Sequence, residues 1–274
     1  MSAHREVGLP LAADAPSGPT EAPEEEPLNL YRFPALYDTL KTPDDEDITA
    51  VRALMGRFVG EGPWSILDPA CGPGNWLRPF AAEASRLAGN DNCPEMVDYT
   101  RETTGAHTVL GDMFELAFEQ PFDVILEASG VTSLLPDVDT LARWIGTFRR
   151  HLSDRGAVIL LLNFEAPLPP RLPATLWRTP WREVPGGQAR IHYELLRDEP
   201  ESHSQHIRRT VETRGGDWPR RIVESYDLRV WKPEHLDALR RLEGFRLAAC
   251  TDPARPAHHE AEPSGERLLV FKPE

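Results

Sequence analysis

Residues 64–74 read WSILDPACGPG, and this stretch decides the fold. Residues 64–68 form a short apolar run that ends in an aspartate, which predicts a buried strand. The turn that follows contains Gly72 and Gly74, and residues 75–84 have the pattern of a helix. Small residues in a turn after a parallel strand let a ligand approach the backbone, and free N–H groups at the start of the next helix favour polar or anionic groups. The stretch therefore predicts a strand, a ligand-binding turn and a helix.

The alternation of strands and helices continues along the chain. Further apolar runs predict strands at 86–91, 107–110, 122–126, 157–162, 245–251 and 267–271. Helical spacing of apolar residues predicts helices at 94–101, 138–148 and 233–242. Such alternation implies a parallel sheet with helices on both sides. The expected fold class is α/β: a Rossmann-like, seven-stranded and mostly parallel sheet with helices on both faces.

The segment 165–231 differs from the rest of the chain. It begins with several prolines and then has apolar residues at every second position, as at Ala189 and Ile191. This pattern is typical of antiparallel strands with one apolar and one polar face. We expect 165–231 to form an inserted antiparallel β lid over the substrate pocket, and 28–164 and 232–274 to form the main domain.

Two segments lack the apolar residues that a core requires. Residues 1–27 are rich in Pro, Ala and Glu, so we expect a disordered tail. Residues 252–266 are polar, and we expect a mobile loop there.

The composition of the 274 residues excludes several classes of partner. With 30 Lys and Arg against 44 Asp and Glu, the net charge is −14, which argues against nucleic acid. No apolar run approaches the roughly 20 residues that cross a membrane, and residues 1–29 lack the pattern of a secretory signal. The three cysteines offer neither a disulfide framework nor a paired metal site, so we expect a reducing, cytoplasmic location and no metal.

Three motifs together resemble those of class I S-adenosylmethionine (SAM)-dependent methyltransferases. Residues 67–74, LDPACGPG, resemble that family's first motif, D-x-G-x-G-x-G, with Ala70 at the first glycine. Residues 89–96, GNDNCPEM, resemble the second motif, and Gly111-Asp112-Met113 resembles the third. The residues after the fourth strand and within 165–231 further resemble small-molecule methyltransferases that carry a β-sheet lid after the fifth strand.

The resemblance implies a set of cofactor-binding residues. The first turn would pass under the methionine part of SAM, Asp112 would accept from the adenine amino group, and Glu127 would lie near the sulfonium. Asp91 would bind the ribose; it follows Asp68 by 23 residues, a spacing common for such acids. The expected cofactor-binding residues are Asp68, Ala70, Cys71, Gly72, Gly74, Asp91, Asn92, Met96, Asp112, Met113 and Glu127.

The expected reaction is an in-line displacement that moves the methyl group of SAM to a small-molecule nitrogen or oxygen. Such a reaction requires alignment and the exclusion of water, and a base only if the nucleophile arrives protonated. We select Glu127, Tyr193 and Arg229 as catalytic candidates: Glu127 to neutralise or deprotonate an amine, Arg229 to bind a carboxylate or phosphate. His192 and Tyr193 are adjacent in a strand, so at most one faces the pocket.

Other functions stay open at this point. The chain could bind SAM without methylating, as a regulatory module or in a non-methylating rearrangement. An NAD-dependent oxidoreductase is disfavoured, because Leu77 replaces the last glycine of G-x-G-x-x-G. Methylation of nucleic-acid amino groups is also disfavoured, because residues 127–130 read EASG where such enzymes carry an N-P-P-Y-type motif. A homodimer is possible.

Overall fold

A computed structural model describes residues 29–252 and 264–274 of the chain. Twelve strands lie in these two ranges. They are β1 (Trp64–Asp68), β2 (Ala84–Asp91), β3 (His107–Leu110), β4 (Phe122–Glu127), β5 (Leu152–Phe164), β6 (Ala174–Arg178), β7 (Arg182–Val184), β8 (Gly187–Glu199), β9 (Ser204–Gly215), β10 (Arg221–Arg229), β11 (Phe245–Thr251) and β12 (Gly265–Pro273).

Seven strands form one sheet in the order β3-β2-β1-β4-β5-β12-β11. The first five are mutually parallel, and β12 is antiparallel to both of its neighbours. The central strands are apolar and almost fully buried, as at Val124, Ile125 and Leu126, because both faces of the sheet are covered. The expected seven-stranded, mostly parallel sheet is confirmed.

Helices cover both faces of this sheet. The helices of the described residues are α1 (Pro34–Lys41), α2 (Asp45–Phe58), α3 (Pro94–Thr104), α4 (Val138–Thr147) and α5 (Pro233–Leu239). Trp144 of α4 and Leu236 of α5 belong to one apolar cluster with strand residues. Leu54 of α2 belongs to a second cluster with Ile66 and Val124. The two clusters are the two layers of the core.

The prediction of a helix at residues 75–84 is wrong. Turns and a short 3-10 helix, Arg78–Phe80, occupy this stretch, and β2 already begins at Ala84. Pro79 explains the difference, because proline lacks an N–H group and disfavours the α conformation in the residue before it. The first turn is therefore followed by a compact loop.

The remaining strands form a second, antiparallel sheet in the order β10-β9-β8-β6, with β7 also paired to β8. We call this the inserted sheet. One face of it packs on α1 and on the 3-10 helix before it. The apolar residues of that contact are Leu30, Leu36, Leu40, Val184, Ala189, Ile191, Val211 and Ile222.

The inserted sheet joins the main sheet at one point. The backbone N–H of Trp231 donates to the Asn163 carbonyl at 2.8 Å, and that of Glu165 donates to the Trp231 carbonyl at 2.8 Å. Residues 165–231 therefore leave and rejoin the main sheet at Glu165 and Trp231, which are neighbours in space. The expected antiparallel insertion after β5 is confirmed as a structural element.

Two expectations fall on other parts of the chain. The tail predicted at 1–27 and most of the loop predicted at 252–266 lie outside the described residues. Within the described part, no helix is long and apolar enough to cross a membrane, and no group of three or more His, Cys, Asp or Glu side chains could hold a metal ion.

Candidate functional site

Three acidic residues meet at the carboxyl edge of the parallel sheet. Asp68 ends β1, Asp91 ends β2 and Glu127 ends β4. Because β1 pairs in parallel with both β2 and β4, these strand ends lie side by side. This edge of an open α/β sheet is where ligands bind in such folds.

The turn after β1 exposes its backbone. Gly72 and Gly74 have φ values of +49° and +76°, a region that favours glycine. A Cβ atom built on Gly74 would lie 2.8 Å from the Thr100 methyl carbon, whereas one built on Gly72 meets nothing within 4 Å. The hydroxyl of Thr100 donates to the Gly72 carbonyl at 2.6 Å and holds the turn. Gly72 therefore borders open space that a ligand can enter.

The Asp91 carboxylate joins the first and second motifs. Its Oδ2 accepts from the Gly72 N–H at 2.7 Å, and its Oδ1 accepts from the Cys93 N–H at 2.9 Å. Burial raises the pKa of Asp91, and these backbone donors oppose the rise. Each carboxylate oxygen can accept a further hydrogen bond, so the predicted ribose contact is chemically available.

Asn90 also belongs to this edge, and the sequence analysis missed it. Its side-chain amide is buried and donates to the carbonyls of Pro69 and Gly111, at 3.2 and 3.0 Å. Its backbone carbonyl accepts from the Cys71 N–H at 2.8 Å. The signal was present, since a polar residue within a buried strand requires hydrogen-bond partners.

Glu127 and Asp68 form a buried acidic corner. Glu127 is 0% exposed, and its Oε1 accepts from the Ser129 N–H, the Ser129 hydroxyl and the Val131 N–H. Its Oε2 is buried without a hydrogen-bond partner among the described residues. Burial raises the pKa of Glu127; it raises that of Asp68 well above its usual range, and the charges of Glu127 and Asp91 add to the latter shift. A cation at this corner would stabilise the charged form of both carboxylates.

The residues expected near adenine differ in how exposed they are to solvent. Asp112 and Asn92 are exposed, and Asp112 Oδ1 accepts from the Phe114 N–H at 2.8 Å. The Met113 carbonyl accepts from the Trp144 indole N–H at 3.0 Å, which fixes the third motif on α4. Met96 is 1% exposed, so its side chain lies in the interior.

The inserted sheet presents a row of polar and aromatic residues toward α1. Trp177 lies opposite Tyr193, Tyr193 opposite Arg209, and Arg209 opposite Glu224. Arg209 is buried and pairs with Glu224 at 2.8 Å. Its guanidinium lies over the rings of Tyr31 and Tyr226, at 5.2 and 5.4 Å from their centroids. We call Tyr31, Tyr37, Tyr193, Tyr226 and Arg209 the tyrosine cluster.

The structure does not bring Arg229 to Tyr193. Arg229 lies at the end of β10 opposite Ser204, whereas Tyr193 lies opposite Arg209. His192 and Tyr193 do face opposite ways: the His192 ring contacts Thr175 at 3.0 Å, away from the tyrosine cluster.

Helix α1 connects the two parts of the site. The Lys41 carbonyl accepts from the Asn75 amide at 2.7 Å, and Asp38 pairs with Arg78 at 2.8 Å, which ties α1 to the loop after β1. On the other side, Arg182 of β7 donates to the Thr39 carbonyl at 2.9 Å. We call the carboxyl edge of the parallel sheet, where the sequence predicts the cofactor, the cofactor edge. The cofactor edge and the tyrosine cluster therefore lie on either side of one short helix.

Part of the main sheet matches a family model. Residues 66–156, about a third of the chain, match the model of a family described as a methyltransferase domain. Residues 66–156 are therefore similar to a methyltransferase domain. The match begins in β1 and extends into β5, so it includes Asp68, Asp91 and Glu127. The resemblance to class I SAM-dependent methyltransferases is confirmed.

Two curated relatives match part of this domain. The dTDP-4-amino-2,3,4,6-tetradeoxy-D-glucose N,N-dimethyltransferase of Saccharopolyspora spinosa is 31% identical over 97 residues, 35% of this chain and 39% of that protein. The dTDP-3-amino-3,4,6-trideoxy-alpha-D-glucopyranose N,N-dimethyltransferase of Streptomyces venezuelae is 27% identical over 97 residues, 35% of this chain and 41% of that protein. The match spans about two fifths of these relatives.

A solved structure matches nearly the whole chain. The sugar N-methyltransferase of a Streptoalloteichus species superposes with a TM-score of 0.68 at 20% sequence identity, over 96% of this chain and 100% of that chain. This likeness extends beyond the methyltransferase domain and includes the inserted sheet. It shows that the described residues share the fold of that structure.

Proposed function

We propose that this chain is a SAM-dependent methyltransferase that moves the SAM methyl group to a nitrogen or oxygen of a small molecule. The buried acidic corner supports this proposal most directly. Glu127 Oε2 has no hydrogen-bond partner among the described residues, it lies at the edge where Asp68 and Asp91 end their strands, and Gly72 borders open space there. A ligand with positive charge would balance these carboxylates.

SAM fits the chemistry of these residues. It carries a sulfonium and an ammonium, which suit an acidic corner, and two ribose hydroxyls, which suit the free lone pairs of Asp91. The turn at Gly72 and Gly74 would receive the methionine part, and the third motif, with Asp112 and Met113, would receive the adenine. These roles rest on the motifs together with the open space beside Gly72.

Bound SAM supplies a methyl group already activated by its positive sulfur. The chain then has to align the acceptor and exclude water. We propose that residues 165–231 act as a lid for this purpose and that 28–164 and 232–274 form the cofactor-binding domain. Tyr193 would orient the acceptor. Arg229 pairs in register with Ser204 of β9, five residues along that strand from Arg209, the partner of Tyr193, so it would contact a different part of the acceptor.

We propose an amine as the acceptor. Glu127 Oε2 would accept a hydrogen bond from a cationic or neutral amine and could take its proton. The two curated relatives are named as N,N-dimethyltransferases of dTDP-linked amino sugars. We therefore propose a small-molecule amine, with amino sugars tested first.

Calorimetric titration with SAM tests the cofactor site. We expect micromolar binding that Asp91→Ala weakens by about 10-fold or more, equivalent to about 1.4 kcal/mol. Asp98→Ala is the matched control, because Asp98 lies on the exposed side of α3 and pairs only with Arg101 among the described residues. Absence of SAM binding by folded wild type would refute the proposal.

Transfer of labelled methyl groups tests the reaction. We expect label from SAM to enter an amino-sugar acceptor in the presence of wild type. Binding of SAM without transfer to any amine or hydroxyl acceptor would favour the alternative, a SAM-binding protein that does not methylate.

A further inference from the structure

The turns after β1 and β3 lie on either side of the end of β2. Because β2 pairs in parallel with both β1 and β3, the three strand ends share one edge of the sheet. The turn after β1 begins at Pro69, and the turn after β3 begins at Gly111. Under the proposed function, SAM spans the two turns, with its methionine part at the first and its adenine at the second. The distance between the turns therefore has to match the length of SAM.

The side chain of Asn90, in β2, is bonded to both turns. Its amide nitrogen donates to the Pro69 carbonyl at 3.2 Å and to the Gly111 carbonyl at 3.0 Å. No other side chain in the described part of the chain bonds to both turns. The backbone of β2 adds one bond on each side: the Asn90 carbonyl accepts from the Cys71 N–H at 2.8 Å, and the Asp91 carbonyl accepts from the Gly111 N–H at 2.9 Å. Asn90 is 1% exposed, so water hardly competes for these bonds.

The two side-chain bonds require an amide at position 90. An asparagine amide has two N–H donors on one nitrogen, whereas serine has one donor and an ionised aspartate has none. The Oδ1 atom of Asn90 is buried without a hydrogen-bond partner among the described residues. A Cβ atom built on Gly111 would lie 3.2 Å from this oxygen. Glycine at position 111 therefore leaves room for the amide to reach the turn after β3.

We propose that Asn90 is a positioning residue for the cofactor, which fixes the distance between the two turns before SAM binds. It acts through the carbonyls of Pro69 and Gly111 and does not have to touch SAM. A site that is ordered in advance spends less of its binding free energy on ordering. Without the amide, SAM itself would have to order the two turns. This inference rests on the proposed function and deepens it by naming a residue that sets the affinity for SAM.

Calorimetric titration with SAM compares Asn90→Ala with a matched control, Thr108→Ala. Thr108 is buried in the neighbouring strand β3, and its hydroxyl donates to the carbonyl of Val97 in α3 at 3.1 Å. Both variants lose buried hydrogen bonds, so both should unfold at a lower urea concentration than wild type. We expect Asn90→Ala to weaken SAM binding by about 10-fold or more, and Thr108→Ala to weaken it less than about twofold. Equal weakening in the two variants would overturn the inference, because lost stability would then explain it.

A double-mutant cycle with Gly111→Ala tests the contact between Asn90 and the turn after β3. In the presence of Asn90 the new methyl group would press on Oδ1, and we expect SAM binding to weaken about fivefold. In the Asn90→Ala background that oxygen is gone, and the same change should weaken binding less than about twofold. Equal factors in the two backgrounds would contradict the inference.

Amide hydrogen exchange of the ligand-free protein gives a readout that does not depend on SAM. We expect Asn90→Ala to speed exchange at residues 69–74 and 111–114 by about fivefold or more, and Thr108→Ala to leave residues 69–74 unchanged. Unchanged exchange in Asn90→Ala would overturn the inference. Wild type that binds no SAM defeats the proposed function, whereas equal SAM affinity of wild type and Asn90→Ala defeats the inference alone.

Discussion

The cofactor edge and the tyrosine cluster are built in different ways. At the cofactor edge, backbone groups form the surface: Gly72 and Gly74 shape a turn, and Asp91 accepts from two backbone N–H groups. In the tyrosine cluster, side chains from separate elements form the surface, around the buried pair of Arg209 and Glu224. A backbone-built site requires particular small residues at fixed spacing, whereas a side-chain-built site requires only that distant residues meet.

The difference predicts that the two regions respond to separate substitutions. A change in the tyrosine cluster should alter stability or acceptor binding and leave SAM affinity intact. A change in the turn after β1 should reduce SAM affinity. The following experiments test this separation, from the largest expected effect to the smallest.

Arg209→Met should have the largest effect on stability. It leaves Glu224, whose side chain is 16% exposed, without its partner, and loss of one member of a buried pair costs about 3–5 kcal/mol. We expect the free energy of unfolding in urea to fall by about 3 kcal/mol, at the low end because Glu224 is partly exposed. SAM affinity should change less than twofold.

The double variant Arg209→Met, Glu224→Leu is the control for this prediction. It removes both charges, so most of the lost stability should return. If the double variant is as unstable as the single one, the loss is one of packing and not of an unpaired charge.

Gly74→Ala should have the second-largest effect, and it should act on the turn after β1. The positive φ and the 2.8 Å approach to Thr100 predict a loss of about 2 kcal/mol in unfolding free energy. SAM affinity, measured by calorimetry, should fall about 10-fold, because the turn must shift. Gly56→Ala in α2 is the control: its Cβ meets nothing within 4 Å, and helical Gly→Ala stabilises by about 0.5–1 kcal/mol. Equal effects of the two changes would contradict the assigned role of the turn.

Glu127→Gln should make the stability of the ligand-free protein less dependent on pH. Burial raises the pKa of Glu127, so this residue favours folding below its unfolded pKa of about 4.3, and that contribution is lost as pH rises through the folded value. The ligand-free variant should therefore have a higher Tm than wild type at pH 8 and a similar Tm near pH 4. Methyl transfer should fall at least about 10-fold.

Glu102→Gln is the control for the acidic corner, since Glu102 is exposed on α3. Its Tm should follow that of wild type across the same pH range. A Tm difference between Glu127→Gln and wild type that does not depend on pH would exclude titration of Glu127 as the cause.

Tyr193→Phe should have the smallest effect and should change only the binding of the acceptor. Loss of one hydroxyl hydrogen bond costs about 1 kcal/mol, so the acceptor KM should rise about fivefold with kcat and SAM affinity unchanged. His192→Phe, on the opposite face of the same strand, should leave all three values as in wild type. If the histidine variant has the larger effect, the acceptor lies on the other face of the inserted sheet.

The contrast between the regions also explains what the sequence could predict. The parallel sheet was predictable because short apolar runs alternate with segments of helical apolar spacing along the chain. Asp91 was predicted from its spacing after Asp68, and Asp68 and Glu127 were predicted from the resemblance to a family. The helix expected at 75–84 was wrong because Pro79, a single residue, outweighs the apolar spacing around it. Local pattern therefore predicts backbone-built features well.

The tyrosine cluster could not be predicted in the same way. Tyr31, Tyr193 and Arg209 come from three separate elements, and they meet only through the register of β8 and β9 and the position of the 3-10 helix before α1. Alternation in β8 indicated that Tyr193 and Ile191 share a face. It could not indicate that Arg209 would lie on that face too, because strand pairing is set over long sequence separations.

The single junction at Asn163, Glu165 and Trp231 has an evolutionary consequence. The chain leaves the main sheet at Glu165 and returns to it at Trp231, and backbone hydrogen bonds join these two residues. Replacement of the whole intervening segment would therefore leave the order and the connections of the seven strands unchanged. Recombination can therefore exchange in one event the segment that we propose binds the acceptor, provided that the new segment keeps the apolar contact with α1. A lineage can acquire a new substrate without having to rebuild the cofactor edge.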